Sequence, residues 1–126
     1  MTQPTNEPST PIAIAKPAAR VVVRFRNTAI ADTENALAVE EPGHRPVFYI
    51  PKRDVDLSAL VQSTTVTFCP RKGHATHYSL AVEGRQSIDA AWAYEDPLPA
   101  VDAIADHIAF YEDRVDQLFV NVFKSL

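Results

Sequence analysis

The run Cys69-Pro70-Arg71-Lys72-Gly73-His74 sets the only cysteine of a 126-residue chain beside two cations and a histidine. Positive charge folded over a thiol favours the thiolate and lowers its pKa. On that reading Cys69 is a nucleophile or redox-sensitive thiol, with His77 as its base and Asp89 to orient the ring. The competing reading is a small apolar side chain packed at a strand end, the commoner fate of a free cysteine. Lys72 and Gly73 also outline an anion site. Glycine permits close backbone approach, and the ammonium is a point charge for phosphate or carboxylate. Arg45, in the Gly43-His44-Arg45 loop, is a candidate bidentate clamp beside it. A solvated turn is the plain alternative for both.

Tyr49, Trp92 and Tyr94, with Tyr78, Phe110 and Tyr111, suit the wall of a small-ligand pocket. Core packing between the sheet and the helix is the favoured account of Trp92 and Phe110. Cys69, His74 and His77 have C-x4-H-x2-H spacing, but zinc needs three or four ligands and a fourth is not evident. No metal is assigned and no cofactor is expected. Glu95 and Asp96 could form an acid pair, but helix capping explains Asp96 without further assumption. The remaining acids, among them Asp32, Glu34, Glu40, Glu41, Asp54, Asp56, Glu112 and Asp113, are assigned to solvated surface.

The elements that must position these groups fit in one domain by length. A net charge of -4 gives no basic footprint for nucleic acid. A single cysteine forbids an internal disulfide and suits a reducing cytoplasm. No apolar run reaches the roughly 20 residues that span a bilayer, and no secretory leader pattern opens the chain. Residues 1–19 carry Pro4, Pro8, Pro11 and Pro17 and are expected to be a flexible tail, with Ile12 and Ile14 available to lie against the body. The folded part is expected over residues 20–126.

Strands are expected at Val21–Phe25, Thr28–Asp32, Ala36–Glu40, Val47–Ile50, Thr64–Phe68, His77–Val82 and Gln86–Tyr94, from β-branched content and turn residues between them. A connector with one helical turn spans Lys52–Gln62. Asp96 is placed as the N-cap of a helix with Pro97 and Pro99 in its first turn and Val101, Ile104, Ala105 and Ile108 as its apolar stripe. His107 sits near that helix's C-terminal end. The segment from Val115 to about Val120 is assigned to a strand, against a competing helical stripe.

Four stretches in order carry a family resemblance. They are Glu41-Pro42-Gly43-His44-Arg45-Pro46-Val47-Phe48-Tyr49-Ile50-Pro51, Cys69-Pro70-Arg71-Lys72-Gly73, Ala91-Trp92-Ala93-Tyr94-Glu95-Asp96-Pro97-Leu98-Pro99, and Ala109-Phe110-Tyr111. Together they resemble the bacterial family called domain of unknown function 427, sometimes labelled nucleotidyltransferase-like. The resemblance covers about Val21 to Asp116. It implies a compact β-rich domain with a short helix and no agreed mechanism. The nucleotidyltransferase label lacks its usual residues here: no Gly-Ser pair followed by spaced aspartates, and no phosphate-cradling glycine loop. His74 and His77 depart from the family pattern, so their role is local to this chain.

These readings combine into a mainly β fold, a small curled antiparallel sheet system (a half-open barrel or tent-like pair of sheets) with one short helix. The leading function is binding of a small anionic ligand, with or without catalysis, in a cleft near the Cys69–Gly73 loop. Arg45, Lys72 and Gly73 would hold the anion, Tyr49, Trp92 and Tyr94 would line the wall, and Cys69 with His77 would supply any chemistry. The alternative is a non-catalytic interaction module that binds another protein or a second copy of the chain.

Overall fold

The computed structural model describes residues 11–123. Its strands are β1 (Ala13–Ala15), β2 (Ala19–Phe25), β3 (Thr28–Thr33), β4 (Leu37–Glu40), β5 (Val47–Pro51), β6 (Leu60–Cys69), β7 (Gly73–Val82), β8 (Arg85–Ala93), β9 (His107–Phe110) and β10 (Gln117–Val122). Seven form one sheet in the order β1-β4-β5-β9-β8-β7-β6, and three form another in the order β10-β2-β3. All of these pairings are antiparallel. The mainly β class is as expected, and the large sheet is curled without closing into a barrel.

Local sequence explains the hairpins. Arg26 and Asn27 both have positive φ, 50° and 59°. This is the turn whose twist matches that of flanking strands. Glu83 and Gly84 repeat it between β7 and β8. The β6–β7 turn is closed by the Lys72 N–H on the Cys69 carbonyl at 3.1 Å, and Gly73 follows at φ 114°, a conformation that L side chains rarely adopt.

The large sheet is a wall between two apolar layers. On one face Ile50, Leu80, Ala91, Ile108 and Phe110 meet Val21, Val23, Phe25 and Ile30 of the small sheet. On the other, Val39, Tyr49, Ala75, Tyr94 and Ala109 are covered at one end by Val101 and Ile104. Three register shifts interrupt the ladders, at Val23/Arg24, between Gln62 and Val66, and between Tyr78 and Leu80. Such bulges bend a strand and increase its twist.

Two expectations change. The stripe Val101, Ile104, Ala105, Ile108 does not make an α-helix. Pro99–Ile104 is a short 3₁₀ segment with Leu98, not Asp96, at its N-cap, and Val101 leaves helical geometry inside it. Asp106 then turns at φ 61°, and His107 and Ile108 enter β9, opposite Pro51 and Ile50. Long-range pairing of β9 with β5 on one side and β8 on the other outweighs the local period. The tail reading also fails for its second half. Ala13–Ala15 pairs with Ala38–Glu40 and Ala19 already belongs to β2, while Ile12 and Ile14 lie against the body as expected, on the second apolar layer. Residues 1–10 lie outside the described residues. The last strand is confirmed, shifted to Gln117–Val122, where it pairs with β2. The connector carries two 3₁₀ turns, Lys52–Asp54 and Leu57–Ala59. Among the described residues no helix is long and apolar enough to cross a membrane.

Asp116 ties the hairpin ends together. It accepts the Arg26 N–H at 2.6 Å and two bonds from Arg85 at 2.9 and 3.1 Å. The Arg26 bond first, and then Arg85, hold its carboxyl below the ordinary value of 3.8, despite some opposing desolvation. Asp32 is lowered likewise by its paired bonds from Arg20. As pH falls, the unfolded chain takes up these protons first. Their contribution is therefore full above the unfolded value and is lost as pH falls through it toward the folded one. The thermal midpoint should drop between about pH 5 and pH 3, and drop less in Asp116→Asn. An equal acid sensitivity in that variant would show that Asp116 is not an anchor.

Candidate functional site

Residues directly opposite one another in a sheet project from the same face. His77 is opposite Trp92, and Trp92 is opposite Ala109. Thr67 is opposite Ala75, two residues before His77 on β7. Alternation therefore aims Thr67, His77 and Trp92 together, on the face that also carries Tyr49 and Tyr94. They surround a hollow of about 200 Å³, completed by Glu41, Lys72, Tyr111, Val39 and Val47.

Lys72 is the unusual member, because its residue is only 8% exposed. Its ammonium donates to a carboxylate oxygen of Glu41, and the Arg71 guanidinium lies 3.6 Å from the other oxygen. A charge so buried is paired or costly. The backbone fixes it as well: its carbonyl accepts the Leu98 N–H at 2.9 Å. At Gly73 an added Cβ would lie 3.5 Å from the Asp96 carbonyl oxygen, ordinary contact, so the φ of 114° is what requires glycine there.

The aromatic wall is ordered. The Trp92 Nε1–H donates to the Tyr49 hydroxyl at 3.2 Å, and the rings meet edge to face, 6.1 Å apart at 87°. Tyr111 packs on Trp92 with centroids 4.4 Å apart and beneath the Arg114 guanidinium, also at 4.4 Å. Burial pushes the Tyr49 phenol well above its usual value, and pushes Tyr94 to about 12 with help from Cys69, Tyr111 and Glu41. Both are neutral hydrogen-bond donors near pH 7.

His77 is 4% exposed. Its Nε2 is 2.9 Å from Thr67 Oγ1, its ring stacks against Tyr111 at 14°, and its Nδ1 has no partner among the described residues.

The structure thus gathers Tyr49, Lys72, His77, Trp92 and Tyr94. It does not gather Cys69 with His77. Cys69 is opposite Gly73, four residues along β7 from His77, about 13 Å of strand. It packs beside Tyr49 and Tyr94 in the second apolar layer, in keeping with a packing residue. Arg45 does not clamp with Lys72. Its side chain is 87% exposed, 3.4 Å from Glu112, and it borders a separate cleft of about 460 Å³ that shares Val47, Trp92 and Tyr111 with the hollow. His74 lies against the Phe68 ring, and its three-residue offset sends it to the opposite face from His77. Among the described residues no three His, Cys, Asp or Glu side chains form a metal-sized cluster.

Tyr111 is among the expected wall aromatics, whereas Glu41 and Thr67 were missed. Glu41 was assigned to solvated surface, yet it stands two residues beyond buried Val39, and Thr67 stands two before Cys69 on the same face. That alternation is the signal that finds them.

Three of the chain's four tyrosines are shifted upward, Tyr78 also to about 12 through burial and its bond to Glu95. A phenolate absorbance titration should therefore show at most one tyrosine ionising below about pH 11. Two or more would contradict the buried wall.

No curated protein matches the chain. One family model does, over residues 13–121, which is most of its length. The chain belongs to the family described as Domain of unknown function (DUF427).

Proposed function

We propose that this domain binds a small anionic molecule in the hollow, with Lys72 opposite its charge. The observation that carries this reading is a nearly buried ammonium at the wall of a cavity that also holds the neutral phenols of Tyr49 and Tyr94 as hydrogen-bond donors. Glu41 is flanked by both Lys72 and Arg71, so the local balance stays positive with an anion near it. The volume of about 200 Å³ lies below the range of about 300 Å³ and upward that holds drug-sized ligands. A short organic acid or the head of a phosphate ester fits that size, and the adjoining cleft leaves room for a longer body.

A thermal-shift screen of organic acids, sugar phosphates and nucleotides tests it. A ligand at 100 times its Kd stabilises by about 2.7 kcal/mol. Succinate or a sugar phosphate should raise the midpoint of the wild type and leave Lys72→Met unchanged. An equal response in Lys72→Met, or none in the wild type at millimolar concentration, removes the proposal.

A second reading, a non-catalytic interaction module, is favoured by β6. It is an outer strand of the large sheet, residues 60–69 contain no charge and no proline, and Val61, Val66 and Phe68 are exposed. Edge strands usually carry such defences against pairing. If this edge recruits a second copy, sedimentation will be concentration-dependent in the wild type and monomeric in Val66→Lys. A wild type that stays monomeric excludes self-pairing.

A further inference from the structure

We infer that Thr67 and His77 are a nucleophile and its base, and that the hollow hydrolyses an ester of the small anion it binds. This deepens the anion-binding reading and rests on it. Thr67 Oγ1 and His77 Nε2 are 2.9 Å apart, within the reach required of such a pair. Both groups line the same hollow as Lys72, so a ligand held there by its charge lies beside the hydroxyl.

The imidazole is held for this role. It is buried, stacked on Tyr111, and bonded through Nε2 alone. When Nε2 accepts the Thr67 proton, the ring's own proton is on Nδ1. Asp89 supplies the compensating charge. The Thr65 hydroxyl donates to its Oδ2 at 2.7 Å, the Ser79 hydroxyl accepts its backbone N–H at 3.0 Å, and its Oδ1 is buried without a partner among the described residues. The Ser63 and Thr65 hydroxyls, chiefly, keep this carboxyl ionised, and the nearby imidazole contributes in the same direction. Two bulges build the arrangement. The one in β6 contains Ser63 and Thr65, and the one in β8 contains Asp89 at φ 50°. Bulges next to a cavity commonly re-aim side chains in this way.

The steps balance with water as the only co-reactant. Thr67 Oγ bonds to the ester carbonyl carbon while its proton passes to His77 Nε2. The carbonyl pair moves onto oxygen, where the neutral Tyr94 hydroxyl is a donor in the same hollow. The bond to the leaving alcohol breaks, and that oxygen takes the proton from His77. Water then gives a proton to His77 and its oxygen bonds to the acyl carbon. Thr67 departs and recovers the proton.

The probe is mono-4-nitrophenyl succinate, compared with 4-nitrophenyl acetate, on the full chain. The succinate ester should be cleaved faster, with a succinyl adduct on Thr67 found by peptide mass spectrometry. Thr67→Val and His77→Gln should each lose about 100-fold or more in turnover, while Thr67→Ser retains activity. Thr67→Val should still be stabilised by succinate. Undiminished cleavage in Thr67→Val, or an adduct on another residue, overturns the inference. Stabilisation by succinate without any cleavage overturns it too and leaves anion binding standing. Cleavage that does not depend on Lys72 instead removes the anion-binding reading.

Discussion

The contact between Lys72 and Glu41 sets the shape of the molecule. Lys72 is in the β6–β7 turn and Glu41 follows β4, and β5, β9 and β8 lie between β4 and β7 in the sheet. Four strand spacings of about 4.8 Å put those strands about 19 Å apart in a flat sheet. Two side chains cannot bridge that and also bury their charges, so the sheet must curl until its concave face closes over a hollow. The ion pair is not a strong glue, since desolvation offsets much of its attraction. Its asymmetry matters more. The Lys72 and Glu41 side chains are 10% and 23% exposed, so a less curled sheet strands two charges away from both water and each other.

The rest of the fold makes that curl attainable. The bulges in β6 and β8 bend the two longest hairpins where they cross β7. Gly73 lets the chain turn back at the point where Asp96–Leu98 approaches, and the Leu98 N–H locks onto the Lys72 carbonyl. The 3₁₀ segment after Leu98 then covers one end of the concave face with Val101 and Ile104. The same devices that shape the sheet therefore put Lys72, His77, Thr67 and the aromatic wall around one space. The small sheet covers the opposite face and leaves this one open.

Local information was legible. The β2–β3 turn, the strands around it and the aromatic residues of β5 and β8 follow from residue types and alternation alone. What was not legible depends on distant partners. Ala13–Ala15 has too little local signal to form a strand, and it becomes one because β4 offers an edge. His107–Phe110 shares a helical period with Val101 and Ile104, and only the slot between β5 and β8 decides the matter. The Cys69 cluster drew the eye because its charges are neighbours in sequence. A hairpin instead separates Cys69 from His77 along one strand and sets Thr67, two residues earlier, against the ring. Glu41 shows the reverse: an ordinary loop acid in sequence becomes the partner of a buried lysine through curvature.

The most direct measurement is a crystal structure of the chain soaked with succinate. The account predicts density inside the hollow, a carboxylate within hydrogen-bond distance of Lys72 Nζ, and the other end directed along the Trp92–Tyr111 wall toward the adjoining cleft. Lys72 turned out to solvent, with the hollow filled by packed side chains and succinate absent from it, would contradict the account.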